Sequence, residues 1–188
     1  MKGLLLPIAA PSGTGKTTVC HNLMQGDERF LFSVSCTTRP PRPNERDGVD
    51  YYFITRQQFE EFISTDKFVE WEEVFGNYYG TLKSAVSEAL EKHKILLLDI
   101  DVKGALNIKK LYPQQTISIF LLPPSFDELE RRLNKRGTDD DQSLAIRKAR
   151  LATEVAYSKQ FDRVIVNDHL DDTVNQIKKI IEEYNKYD

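Results

Sequence analysis

The sequence predicts an α/β fold, a parallel sheet wrapped by helices, and three observations carry that expectation. The apolar runs Leu4 to Ala10, Lys94 to Ile100 and Ile117 to Leu122 are continuous rather than alternating, as in strands buried on both faces. Segments with apolar residues at helical spacing lie between them, which favours crossover connections and a parallel sheet. At 188 residues the chain suits one well-buried domain.

The elements follow in order. Leu4 to Ala10 is a buried strand, and Thr17 to Gln25 a helix with Val19, Leu23 and Met24 on one face. Phe30 to Cys36 reads as a second strand. Thr37 to Gly48 carries Pro40, Pro41 and Pro43 and is a loop. Tyr51 to Ile54 is a short β-rich run, and Arg56 to Thr65 a helix that turns Phe59, Phe62 and Ile63 inward. Phe68 to Tyr79 is aromatic and turns at Gly76-Asn77, so it reads as paired strands. Lys83 to Lys92 is helical, and Lys94 to Ile100 is the clearest central strand. After Ile117 to Leu122, Ser125 caps a helix with Glu128 three residues on. The charged stretch Gly137 to Gln142 precedes a helix from Ser143 to Phe161. Val164 to Asn167 is the last strand, and Asp171 to Tyr187 an amphipathic helix with Val174, Ile177, Ile181 and Tyr184 on one face. The segment from about 35 to 81 interrupts the alternation as an inserted β-rich lobe.

Composition excludes several classes. The chain is 40% hydrophobic and 10% aromatic, enough to build a core, so disorder is excluded. No apolar run approaches the roughly 20 residues of a membrane span, and Pro11 with the polar residues after it leaves the first run too short for a signal peptide. A net charge of -3 argues against a nucleic-acid partner, although Arg39, Arg42 and Arg46, and again Arg131, Arg132, Lys135 and Arg136, form local clusters suited to small anions. Cys20 and Cys36 make no disulfide framework, which fits a cytoplasmic location. His21, His93 and His169 form no ligand-spaced cluster, so metalloenzyme chemistry on histidine is not expected.

The first strand runs into Ala10-Pro11-Ser12-Gly13-Thr14-Gly15-Lys16-Thr17-Thr18 at the start of a helix. This is the phosphate-binding pattern G-x-x-x-x-G-K-[ST] with Ala10 in place of the first glycine. Gly13 and Gly15 let backbone N–H groups turn toward phosphate oxygens, and the helix N-terminus adds positive potential. Lys16 reaches the β- and γ-phosphates, and the Thr17 hydroxyl can ligate Mg²⁺. A glycine turn capping a helix explains the glycines but not Lys-Thr in this register. Ala10 requires a negative φ. Asp99, ending the Leu96-Leu97-Leu98 run, has the position of a carboxylate near Mg²⁺. Asp101 shares its face if the strand continues, and the alternative is a cap on the next helix.

The blocks that follow resemble the guanylate kinase family. They are Phe32 to Arg42, Asp47 to Phe53, Phe68-Val69-Glu70-Trp71, Gly76 to Thr81, Leu98 to Asp101, Arg132-Leu133 with Arg136-Gly137-Thr138, and Val164 to Asp168, in family order along nearly the whole chain. The resemblance implies a P-loop NTPase core over about 1–34, 82–124 and 162–188, a GMP-binding lobe over about 35–81, and a helical lid over about 125–161. It implies ATP and Mg²⁺, and GMP as acceptor, with dGMP a further acceptor. Arg39, Arg42, Tyr51 and Tyr79 are implied to hold the GMP phosphate, which suits two guanidinium forks and two phenols. Ser35, Glu70, Thr81 and Asp101 are implied to surround guanine. Glu70 would accept from N1–H and the N2 amino group, a pattern adenine cannot match. Arg136 and Arg147 would come down on the transferring phosphoryl group, with Arg132 on the ATP phosphates. Asn167 matches the adenine side, with a structural turn as the alternative. Tyr78 and Trp71 are expected to pack.

The reaction so implied is in-line phosphoryl transfer without a general base, because the acceptor phosphate is already largely dianionic near neutral pH. Lys16, Arg42, Arg136 and Arg147 would neutralise charge. Two rivals share the fold. One is a non-catalytic interaction domain, opposed by the intact Gly15-Lys16-Thr17. The other is a kinase of another small acceptor, opposed by the Ser35, Glu70 and Thr81 set.

Overall fold

The structure, a computed structural model, describes residues 2–74, 76–125, 128–129, 131 and 153–186. Its first sheet has five strands in the order β2-β7-β1-β8-β9, all neighbours parallel: β1 (Leu4–Ala9), β2 (Phe30–Phe32), β7 (Ile95–Asp99), β8 (Ile119–Leu122) and β9 (Arg163–Val166). Helices α1 (Lys16–Met24), α3 (Lys83–Glu91), α4 (Val102–Leu111) and α5 (Leu170–Lys186) cover it. One face of the sheet packs Leu4, Leu6 and Ile8 against Val19 and Leu23 of α1 and Val174, Ile177 and Ile181 of α5. The other packs Leu5, Leu96, Leu98 and Phe120 against Val86 and Ala89 of α3 and Ala105 and Ile108 of α4. Burial on both faces is why β1, β7 and β8 are continuous apolar runs.

Pro7 stands in the middle of this sheet, where proline removes a donor. Leu5 exchanges hydrogen bonds with Gln115 and Ile117, and Pro7 two residues on points the same way. The missing donor therefore faces β8, whose regular pairing with β1 begins only at Ile8. The ladder to β7 is untouched.

A second sheet of four strands, ordered β4-β3-β6-β5, contains β3 (Cys36–Thr37), β4 (Tyr52–Phe53), β5 (Phe68–Val74) and β6 (Asn77–Leu82). Helix α2 (Arg56–Ser64) lies against it. Thr55 caps α2 in a reciprocal box with Gln58, and Phe59 from α2 stacks on Phe68 with ring centroids 4.4 Å apart. This sheet has its own small core of Cys36, Phe59 and Phe68.

Four expectations change in detail. The run Phe30 to Cys36 is not one strand. Phe30–Phe32 pairs with β7, whereas Cys36–Thr37 pairs with β4 and β6, so the chain leaves one sheet for the other at Ser33 to Ser35. Strand β7 stops at Asp99, and Asp101 caps α4, its Oδ1 accepting from Gly104 N–H at 2.8 Å. The shared strand face expected for Asp99 and Asp101 does not form, because capping an orphan N–H outweighs one more strand residue. The last strand ends at Val166, one residue short of Asn167. Trp71 packs edge-on against Phe59 and Tyr78, but its other side is in solvent, leaving it 42% exposed.

Ser125 behaves as a cap, its Oγ accepting from Glu128 N–H at 3.1 Å. Most of the helix expected from Ser143, and the charged stretch before it, lie outside the described residues, which resume with a helical turn and the 3-10 turn Ser158–Gln160.

Candidate active site

The link between β1 and α1 turns on Gly13 and Gly15, with φ of 90° and 93° that disfavour any side chain. Ala10 does not share this conformation, so its methyl costs nothing there, and it packs against the core. The floor of the loop comes from the far end of the sheet. Asn167 Nδ2 donates to the Thr14 carbonyl at 2.7 Å, while Asn167 Oδ1 accepts from Thr173 Oγ1 at 3.0 Å. Asn167 is buried with both ends of its amide used inside the protein, so its side chain serves the loop.

At the top of α1, two consecutive residues meet one carboxylate. Lys16 Nζ lies 2.5 Å from Asp99 Oδ1 and donates to the Ile100 carbonyl at 2.7 Å. Thr17 Oγ1 donates to Asp99 Oδ2 at 3.0 Å. The end of β7 thus carries the acid, and the loop after β1 carries the cation and the hydroxyl. Thr18 is exposed and does not line the cavity.

Facing this loop is the wall formed by β5 and β6. Their antiparallel register sets Glu70 opposite Thr81 and Glu72 opposite Tyr79. Period-two alternation puts Glu70, Glu72 and Tyr79 on the cleft wall, which the Gly80 backbone also lines, and turns Tyr78 toward the lobe's own core. Thr81 is fully buried behind Glu70 and does not line the cavity. A Cβ on Gly80 would meet the Phe68 ring at 2.9 Å. Tyr78 accordingly packs at a tilt against Phe59 and takes a hydrogen bond from Arg56. Across the two strands Thr81 Oγ1 donates to Glu70 Oε1 at 2.5 Å, and both residues are buried. Burial, with a smaller contribution from the nearby Asp101 carboxylate, pushes the Glu70 carboxyl up to about 7 despite the Thr81 hydrogen bond.

The proposed phosphate ligands divide. Tyr51 and Tyr79 line the cavity, their rings edge-on with centroids 6.1 Å apart, and burial raises the Tyr51 phenol well above its usual range. Arg39 sits beside them, its guanidinium 5.5 Å from the Tyr51 ring centroid, where Glu45 holds it. Arg42 is 70% exposed and does not line the cavity.

One cavity of about 320 Å³ is bounded by residues 10–17 on one side and by Ser35, Tyr51, Glu70 and Tyr79 on the other, with Asp99 and Asp101 at its base. Arg132, Arg136 and Arg147 lie outside the described residues. Among the described residues no cluster of three or more His, Cys, Asp or Glu could hold a metal by itself. The cavity also takes in Glu72, Val74 and Glu154, which the sequence reasoning did not single out. Glu72 and Val74 could have been found, since they share a strand face with Glu70. Glu154 comes from the far part of the chain, and no local signal marks it.

The family model described as guanylate kinase matches residues 3–184. The chain is 44% identical over 180 residues to the guanylate kinase of Carboxydothermus hydrogenoformans, covering 96% of this chain and 88% of that one. It is 47% identical over 180 residues to that of Clostridium tetani, covering 96% and 86%. Among solved structures, guanylate kinase from Anaplasma phagocytophilum superposes with a TM-score of 0.79 at 32% identity, covering 97% of this chain and 86% of that one. Shikimate kinase from Bacteroides thetaiotaomicron shares only the fold, with a TM-score of 0.53 at 13% identity over 95% and 98% of the two chains.

Proposed function

Because this chain belongs to the guanylate kinase family and phosphorylates GMP to GDP with ATP, we propose that the described cleft divides between a donor side on the loop and an acceptor side on the second sheet. The ATP phosphates lie along residues 10–18, where Gly13 and Gly15 free backbone N–H groups and Lys16 supplies a positive charge. Lys16 meets Asp99 and the Ile100 carbonyl, which leaves its ammonium a third N–H for a phosphate oxygen. Mg²⁺ fits the Thr17 hydroxyl and the Asp99 carboxylate, an all-oxygen donor pair 3.0 Å apart that suits a hard cation. When bound there it would neutralise charge on the β- and γ-phosphates.

On the acceptor side, Glu70 takes guanine N1–H and the N2 amino group. The Thr81 hydroxyl donates to Glu70 and so orients it. Ser35, buried on the same wall, offers a hydroxyl to guanine O6, and Asp101 flanks the base. Tyr51, Tyr79, Arg39 and Arg42 hold the GMP phosphate, with Arg42 swinging in from solvent. Arg136 and Arg147 close on the transferring group from the lid, and Arg132 assists on ATP. On this reading the core spans about 1–34, 82–124 and 162–188, the GMP-binding lobe about 35–81 and the lid about 125–161. Both cysteines are free thiols, which agrees with a cytoplasmic enzyme.

The observation that carries this reading is the buried Glu70, held by Thr81 from behind, facing the phosphate loop across one cavity. A carboxylate buried at such a cost wants paired donors, and guanine presents two side by side where adenine presents an acceptor. Steady-state assays with GMP, dGMP, AMP and UMP test it. GMP and dGMP should turn over and AMP and UMP scarcely. Comparable kcat/KM for AMP would remove Glu70 from base recognition.

A further inference from the structure

Gly104 is the third residue of α4, inside a helix, where glycine is a poor choice. Its backbone does not call for glycine, since its φ lies in the range any residue adopts. What calls for it is space. A Cβ built there would stand 2.6 Å from Glu70 Oε2, 3.1 Å from Glu70 Cδ and 3.2 Å from Asp101 Oδ1. The first of these distances is one that real Cβ atoms do not show. Side-chain ends usually swing away from such a contact, but this one is confined. Glu70 is only 8% exposed, and its other oxygen is held by Thr81 at 2.5 Å. The carboxylate therefore fits between a hydroxyl on β6 and the bare Cα of α4. One residue earlier, Lys103 pairs with Glu72 at 2.6 Å, so the same helical turn meets two consecutive inward residues of β5.

We propose that Gly104 is a specificity-positioning residue: the side chain it lacks is the space that holds the Glu70 carboxylate where it reads the acceptor base. The helix gives up stability at this position so that the core can set a carboxylate carried by the second sheet. This rests on the reading of Glu70 as the guanine ligand, and it concerns a residue that itself contacts no substrate. Adding a methyl should push the carboxylate into the cleft and off the line of the base. Displacements of that size commonly cost up to about a hundredfold.

The test combines kinetics and melting for Gly104→Ala, Glu70→Gln, Glu70→Ala and the double variant Glu70→Ala/Gly104→Ala. In Gly104→Ala the KM for GMP should rise roughly ten- to a hundredfold while the KM for ATP stays put. An unchanged GMP KM beside a raised one in Glu70→Gln overturns the inference and leaves the guanine reading standing. If Glu70→Gln itself leaves the GMP KM unmoved, the guanine reading fails, and the steric claim is judged by Tm alone. Gly104→Ala should lower Tm in the native chain by clearly more than in the Glu70→Ala chain, where the Glu70 contact is gone. The Asp101 contact is common to both backgrounds and cancels in that difference. An equal Tm change in both backgrounds overturns the steric claim. Should Gly104→Ala fail to fold, a folded double variant supports it, and an unfolded one overturns it.

Discussion

Glu45 grips Arg39 through a single nitrogen: Arg39 Nη2 donates to both Oε1 and Oε2 of Glu45, at 2.8 and 2.9 Å, in a pair only 14% and 16% exposed. Glu45 Oε2 also accepts from the Arg42 backbone N–H at 2.8 Å. One carboxylate thereby holds the Arg39 side chain and the Arg42 backbone, two of the three arginines of the Pro-rich loop, with Arg39 lodged between it and the Tyr51 and Phe53 rings.

Glu45→Gln should therefore weaken GMP binding rather than free a ligand for it. The amide keeps the shape but offers Arg39 one oxygen instead of two. A loss of about 1 kcal/mol, equivalent to a rise of several-fold in GMP KM, is expected with kcat little changed. A lower GMP KM would mean that Glu45 competes with the phosphate instead of preparing its site.

Glu70 should make both stability and base selection depend on pH. Its folded value of about 7 lies above the ordinary 4.5, so the folded protein holds a proton that the unfolded chain has released. Its contribution to stability is thus fully present at the acid end and is lost as pH rises from about 4.5 to about 7. Urea titrations across that range should show the slope in the native protein and not in Glu70→Gln. In the cleft, only the ionised carboxylate accepts both guanine donors, whereas the protonated acid can donate to adenine N1. Discrimination between GMP and AMP should then narrow as pH falls below about 7. The GMP phosphate titrates nearby, so the comparison with Glu70→Gln isolates the carboxyl. A GMP-to-AMP ratio that is flat with pH would reject this link.

Asn167→Ala removes the amide that ties Thr14 to Thr173. Leaving a buried carbonyl and hydroxyl short of partners costs about 1–3 kcal/mol, and the phosphate loop should loosen. The KM for the nucleotide donor should rise equally for ATP and for a donor with another purine base. A rise confined to ATP would instead make Asn167 an adenine contact. Thr173→Val should reproduce the effect in weaker form.

Lys16→Ala should lower kcat by about 10²-fold or more, the usual scale for losing one transition-state donor. The fold should survive, because Lys16 sits at a helix start and contacts Asp99 and a carbonyl rather than the core. Circular dichroism with single-turnover kinetics checks both halves. Native-like turnover in the folded variant would remove Lys16 from phosphoryl transfer.

Much of the fold was legible because its signals are local. Leu4–Ala9, Ile95–Asp99 and Ile119–Leu122 announce a sheet buried on both faces by being apolar without interruption. Gly13, Gly15, Lys16 and Thr17 announce the loop by spacing alone. Where local signals overlap, the sequence reading went astray. Phe30 to Cys36 has strand character throughout, and nothing within it tells that Ser33 to Ser35 crosses between two sheets. Asp101 is both two residues beyond a strand acid and one residue before a helix, and the orphan N–H of Gly104 decided between them.

By itself the sequence determined the family, the element order and the residue types at the cleft, since motif spacing and hydrophobic period are properties of the chain. The tertiary structure alone decided which of those residues meet. Glu70 faces Thr81 because β5 and β6 pair in one register, and it has room there because α4 has no side chain at Gly104. Asn167 supports a loop 153 positions away, and Glu45 takes the charge of Arg39. Burial raises the carboxyl of Glu70, and burial is a sum over neighbours from distant parts of the chain. Contacts of that range leave no periodic trace in the sequence, so only the folded chain shows them.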